Sequence, residues 1–259
     1  MRLLIEADLE YCLDRRADVL LQIEAAATAD QRIVTERLTV WSDRPVRAAP
    51  GEDGVGQRCW IDGEGPLRAE YRATVEIERP PVVLDGLAAT PARAAPAALT
   101  AYLLPSRYCP VDRLYGFVEQ RFAGLTGGAL AAALAGWVGE NIAYRADASN
   151  GDMTALDTFG QRAGVCRDFA HLLVTFARAG GIPARCVSAY APGVDPPDFH
   201  AVAELWLEEQ WHLVDATGMA RADELARVAV GRDAVDIAFM TVFGRATLVR
   251  QAVRVVRAD

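Results

Sequence analysis

The sequence predicts an α+β protein in which a mainly antiparallel β half precedes a half that mixes helices with strands. Three observations predict it. Tyr71, Ala73, Val75 and Ile77 alternate with Arg72, Thr74, Glu76 and Glu78, the period-two pattern of a strand with one wet face. Prolines at 80, 81, 91, 96, 105 and 110 then interrupt all periodicity. Beyond them apolar residues recur three and four apart, the spacing of helices packed on one side.

In the first half, residues 19–25, 33–41 and 58–62 are further strand candidates. Asp43-Arg44-Pro45, Pro50-Gly51-Glu52-Asp53-Gly54 and Asp62-Gly63-Glu64-Gly65-Pro66 separate them as turns. Strands at this spacing suggest a small antiparallel sandwich. The proline-rich connector sets a boundary near residue 100, giving a β-sandwich-like domain over 1–100 and a second domain over 101–259. The first half holds no catalytic constellation, and Trp41 and Trp60 read as packing residues.

In the second half, residues 111–122 and 129–141 read as helices. Ser149-Asn150-Gly151-Asp152 is a turn, and residues 154–161 lead to Gly164, whose missing side chain would let a substrate backbone come near. A helix then opens at Cys166: Phe169, Leu172, Leu173, Phe176 and Ala177 form one buried stripe, and Cys166 begins it. Gly180, Gly181 and Pro183 stop it. Cys186 lies in an apolar strand over 185–190. Residues 198–217 read as a hairpin whose first strand opens with His200 and whose second closes near Asp215. A polar helix over 222–229 and a terminal strand over 247–256 follow, with Arg250, Arg254 and Arg257 along a solvated edge.

The chemistry centres on Cys166, because a helix N-terminus favours an anion and the thiolate is the nucleophile. A helix terminus is worth up to ~2 kcal/mol, roughly one and a half pKa units; an active thiolate near 4 instead of about 8.5 also needs an imidazolium partner. Only three histidines are available. His171 is about 140° round the helix from the thiol and points away. His212 and Asp215, three apart on a strand, face opposite ways. For His200 the answer depends on register. A two-residue turn at Glu208 and Glu209 sets Asp215 opposite Val202, diagonal to His200 and on its face; a three-residue loop flips it; a four-residue loop restores the face. In the favourable registers Cys166, His200 and Asp215 supply a nucleophile, a base and a carboxylate that orients the base. The backbone N–H of Cys166 is the safer oxyanion donor, with the Gln161 amide as a further candidate. Arg167 and Asp168 read as polar helix-start residues, and His171 as a structural histidine.

The blocks Gly164-Val165-Cys166-Arg167-Asp168-Phe169-Ala170-His171, Gly181-Ile182-Pro183-Ala184-Arg185, Asp198-Phe199-His200-Ala201 and Asp215-Ala216-Thr217 resemble, in order and spacing, the core of the bacterial transglutaminase-like superfamily. The resemblance covers roughly residues 100–220. It implies a papain-like α+β fold and a catalytic triad at Cys166, His200 and Asp215. It also implies a β domain ahead of the core, as such proteins often carry. Members often have tryptophan where Val202 stands and proline where Ala216 stands.

Composition narrows the function further. The 259 residues are 52% hydrophobic and 24% charged, with a formal net charge of -8, which argues against nucleic acid or an anionic membrane as partner. The start of the chain has acidic Glu6 and Asp8 before any signal-length apolar run. The five cysteines, at 12, 59, 109, 166 and 186, show no paired spacing, which points to reduced thiols and a cytoplasmic protein. The four besides Cys166 read as small buried or semi-buried hydrophobes. The expected activity is acyl transfer on a peptide or protein amide through a thioester at Cys166, with hydrolysis favoured over transamidation and no cofactor or metal required. A metal site of Cys166, His171, His200 and Asp215 fails because Cys166 and His171 diverge on the helix. The alternative of another class is a catalytically idle peptide-binding module. Specificity is expected from loops such as residues 190–197.

Overall fold

A computed structural model describes residues 1–42 and 44–258; Asp43, the first residue of an expected turn, lies outside the described residues. Strands β1 (Arg2–Leu21), β2 (Gln31–Trp41), β3 (Arg47–Pro50) and β4 (Gln57–Ile77) come first. Next are α1 (Tyr115–Arg121), α2 (Gly127–Asn141), β5 (Ala143–Tyr144), α3 (Ala155–Gln161), β6 (Ala163–Gly164) and α4 (Cys166–Ala179). Then follow β7 (Ala184–Tyr190), β8 (His200–Leu207), β9 (Gln210–Val214), β10 (Ala226–Gly231), α5 (Ala234–Ile237), β11 (Met240–Val242) and β12 (Ala246–Ala258). The architecture is α+β, with a six-stranded and a four-stranded antiparallel sheet and a parallel bridge of β5 with β6. Among the described residues no helix is long and apolar enough to cross a membrane.

The strands of the first half are longer than their local signals. Leu3, Ile5, Ala7 and Leu9 alternate inward from the start, so β1 runs unbroken into the segment expected as a strand at 19–25. Residues 14–16 bulge out where Leu13 pairs with Gly65 and Ala17 with Gly63. The expected turn over 62–66 is therefore the interior of β4, and Gly65, at φ 67°, accommodates the bulge. β12 pairs with β1 from Arg2↔Ala258 to Leu13↔Ala246, and β11 pairs with its other end, so the six-stranded sheet draws on both sides of residue 100. Cys12 stands on the wet side of β1 and is exposed, unlike the buried Cys59, Cys109 and Cys186.

The four-stranded sheet has the order β10-β7-β8-β9. The polar helix expected over 222–229 is instead a 3-10 turn followed by β10, because Ala226, Val228 and Val230 fill the open edge of β7 and tertiary pairing overrides the local polarity. Residues 111–122 are likewise divided, a 3-10 turn giving way to α1 at Leu114, whose φ of -116° leaves the helical range. α4 packs on β7 and β8, with α1, α2 and α3 on its other side. Its expected stripe is buried, and so is the rest of its surface from Asp168 to Ala179. The helix is a central element, ended by Gly180 and by Gly181 at φ 75°.

Four buried contacts lock the sheets together. Tyr71 of β4 stacks on Tyr190 of β7, 6.2 Å between centroids, and the Tyr190 hydroxyl donates to Ile23 O at 2.7 Å. Gln31 Nε2 donates to Arg227 O at 2.9 Å and Ala26 N–H to the same oxygen at 2.8 Å. The edge of the second sheet is thus sealed by the first.

Candidate active site

Cys166 is the first residue of α4, half-buried, where the free N–H groups of the first turn point outward. Asp168 holds that turn: its Oδ2 accepts from Val165 N–H at 2.9 Å, the backward half of a capping box. Arg167 pairs with Asp168 at 3.2 Å and donates to Asn150 O at 2.6 Å. A Cβ on Gly164 would meet Asp168 Cβ at 2.6 Å. Gly164 is therefore a glycine to make room for the cap, not for an approaching substrate. The Cys166 helix start is set by internal fit.

His200 opens β8. The hairpin turns through Glu208 and Glu209, at φ 47° and 61°, with Leu207 paired to Gln210 and Ala203 to Val214. This is the two-residue register, so Asp215 falls beside Val202 on the face of His200. Two glutamates suit positive φ poorly. An outside tether holds them: Glu208 N–H donates to Ala88 O at 3.1 Å, and Ala88 N–H donates to Glu208 Oε1 at 3.3 Å. His200 Nε2 meets Asp215 Oδ2 at 2.8 Å, and both side chains are almost wholly buried. Asp215 is fixed further by Thr217 N–H at 2.9 Å, Thr217 Oγ1 at 2.7 Å and Ala220 N–H at 2.9 Å. The Nδ1 of His200 has no hydrogen-bond partner among the described residues and is left for the thiol beside it.

The electrostatics follow from this packing. Burial pulls the His200 imidazole down, but the Asp215 hydrogen bond and then Cys166 outweigh it, and its pKa is pushed up to about 9. Burial raises Asp215, but the His200 hydrogen bond and charge, with Thr217, hold it below the ordinary carboxylate range. Burial instead takes His171 down to about 4. As a neutral ring it accepts Ala234 N–H on Nε2 at 3.1 Å and stacks on Tyr108, 5.1 Å between centroids, turned away from the thiol as its helix position requires. His212 Nε2 lies 3.1 Å from Leu207 O and takes no part.

Gln161 is excluded as an oxyanion donor because its Nε2 already donates to Ala148 O at 2.7 Å and Ala163 O at 2.8 Å. Tyr144, which local sequence signals do not mark, comes to Cys166 instead. The bridge of β5 with β6 pairs it with Gly164, and its hydroxyl lies beside the Cys166 backbone and thiol. Burial first, then negative charge at Cys166, push its pKa up to about 12, so it stays an O–H donor through the neutral range.

Cys166 and His200 open into a cleft of about 770 Å³ between the two sheets. Among the described residues its lining includes Leu20, Arg58, Arg107, Phe199, residues 234–239 and Phe243, and nothing of the 190–197 loop expected to set specificity. Residues 190–191 are buried and the loop lies off the cleft.

Residues 118–216 match the family described as the transglutaminase-like superfamily. The crystal structure of a candidate cysteine protease from Cytophaga hutchinsonii is 30% identical and superposes with a TM-score of 0.92, covering 100% of this chain and 91% of that one. Uncharacterized protein ML0607 of Mycobacterium leprae is 31% identical over 145 residues, 52% of either chain, so the match spans about half the length of that relative.

Proposed function

Because this chain belongs to the transglutaminase-like superfamily, we propose that it is a cysteine-dependent acyl-transfer enzyme that hydrolyses peptide or protein amides through Cys166, His200 and Asp215. One observation carries this reading: a thiol at the N-terminus of α4 beside an imidazole whose far nitrogen is held by a buried carboxylate at 2.8 Å. The Cys166 thiolate attacks the amide carbonyl carbon, and the oxyanion that forms lies against the Cys166 N–H and the Tyr144 hydroxyl. As the C–N bond breaks, His200 gives its proton to the leaving nitrogen and a thioester remains. Water then attacks the thioester while His200 takes its proton. The carboxylic acid departs, and the thiolate–imidazolium pair is restored. Arg107 and Phe243 line the cleft and are both well exposed, so the site is accessible to water, which supports hydrolysis as the outcome.

The test is alkylation by iodoacetamide at pH 6, followed by peptide mass mapping. Cys166 is expected to react at least about tenfold faster than the exposed Cys12, and to lose that advantage in His200→Ala. Equal rates at Cys166 and Cys12 in the unaltered protein would favour a peptide-binding module without catalysis.

A further inference from the structure

The cleft has a wall that neither the triad nor the matched core accounts for. Residues 234–243 leave β10, turn through α5 and enter β11, crossing from the second sheet to the first beyond the matched segment 118–216. Val235, Ile237, Phe239 and Phe243 from this crossing line the same cleft as Cys166 and His200. Three contacts fix it to the site. Ala234 N–H donates to His171 on α4, and Asp233 Oδ2 accepts Tyr108 N–H at 3.0 Å. Phe239 stacks on Phe199, the neighbour of His200, with centroids 4.5 Å apart and planes 7° apart. The wall is thus positioned by the same elements that carry the thiol and the imidazole.

Phe243 is 61% and Val235 51% exposed, although both face a cleft. Apolar surface left open on a fixed segment marks a binding face. The polar groups next to it are engaged, Arg58 Nε donating to Gln22 Oε1 at 2.8 Å and Asp236 taking Arg232 at 2.9 Å. Elsewhere in the cleft, among the described residues, Ser188 Oγ has no hydrogen-bond partner and Arg107 forms an ion pair only with the exposed Asp152, at 3.8 Å. Nothing on the wall calls for a charged ligand. We propose that this wall is a subsite for one bulky apolar side chain of the acyl-donating peptide. The proposal rests on the acyl-transfer reading of Cys166. In that reading the acyl half stays attached to Cys166 after the amine has left, so its side chain is the part of the substrate the cleft must hold through both steps.

The experiment measures second-order alkylation of Cys166 by dipeptidyl chloromethyl ketones that carry phenylalanine at either position, against the Ala-Ala analogue. Iodoacetamide serves as the reagent that has no side chain to place. A phenylalanine probe is expected to react at least about tenfold faster than the Ala-Ala probe, the discrimination a well-formed apolar pocket gives. In Phe243→Ala and in Val235→Ser, both at exposed positions, that ratio is expected to fall to within about threefold. Equal rates for all peptidyl probes, or a ratio unchanged in both variants, overturn the subsite while rapid iodoacetamide alkylation leaves the nucleophile standing. Slow alkylation by iodoacetamide as well overturns the reading beneath it.

Discussion

Burial alone would keep His200 neutral, yet Asp215 and Cys166 reverse the outcome and hold its pKa at about 9. Against an ordinary value near 6.5, the folded chain binds this proton more tightly by about 3 kcal/mol. The sign follows: the stabilisation is complete below about pH 6.5 and is lost as pH rises through about 9. The ring Cε1 resonance of His200 is expected to titrate well above the usual histidine range, and Asp215→Asn to move that midpoint down. The melting temperature lost in Asp215→Asn should be larger at pH 7 than at pH 10. A midpoint at or below the ordinary value in the unaltered protein would mean that no ion pair forms. Of the residues around this pair, His200 was legible because only three histidines compete, helix geometry turns His171 away and strand alternation separates His212 from Asp215, whereas its pairing with Asp215 waited on the hairpin register. Tyr144 was not, because what brings it to Cys166 is a two-residue bridge with β6, a tertiary pairing with no local periodicity.

Between β8 and β9, the turn decides whether the pair exists at all. Its two glutamates at positive φ preserve a two-residue loop, and Ala88 holds Glu208 from outside. Side chains alternate along a strand, so one added residue exchanges the faces of everything beyond it. Inserting one glycine between Glu208 and Glu209 is expected to turn Asp215 away from His200 while the hairpin survives. The result would be slow Cys166 alkylation and a His200 midpoint shifted downward, with an unchanged far-ultraviolet circular dichroism spectrum. Retained reactivity would mean that a bulge absorbs the insertion. The hairpin and α4 could be read from sequence because their periodicity is strong and their stop signals are local, Gly181 above all. The strand β10 could not: residues 222–229 look polar and helical, and only the unpaired edge of β7 makes a strand of them. The bulge in β1 hid in the same way, since Gly63 and Gly65 read as a turn until a partner strand runs through them.

Across the whole molecule, a chain of charges buried at its centre and open at its Asp30 and Asp53 ends joins the two sheets. Asp30 meets Arg79 at 2.5 Å and Arg227 at 2.8 Å; Glu204 meets Arg227 at 2.5 Å and Arg185 at 2.7 Å; Arg185 reaches Asp53 at 3.0 Å. Asp30 and Asp53 belong to the first half, whereas Glu204 lies on β8 with His200, so the element that carries the imidazole is tied to the β half. Burial raises Asp30, but Arg79 and Arg227 hold it far below the ordinary carboxylate range, so its contribution is present above about pH 4 and fades as pH falls. Glu204 is the centre, wholly buried between two guanidinium groups. Removing one partner of a buried pair leaves uncompensated charge and costs about 3–5 kcal/mol, whereas an exposed pair is worth about 0–1. Arg145–Asp147, 57% and 71% exposed, is such an exposed pair. Glu204→Gln is therefore expected to lower the melting temperature of the full chain by about 6–20 °C. Asp147→Asn should shift it by no more than about 4 °C. If both variants melt alike, the sheets are held by apolar contacts such as Tyr71 on Tyr190 and the ion chain adds nothing. If only Glu204→Gln falls, and the drop narrows as pH falls below about 4 and the contribution of Asp30 fades, the network is what fixes β8, and with it His200, against the β half of the molecule.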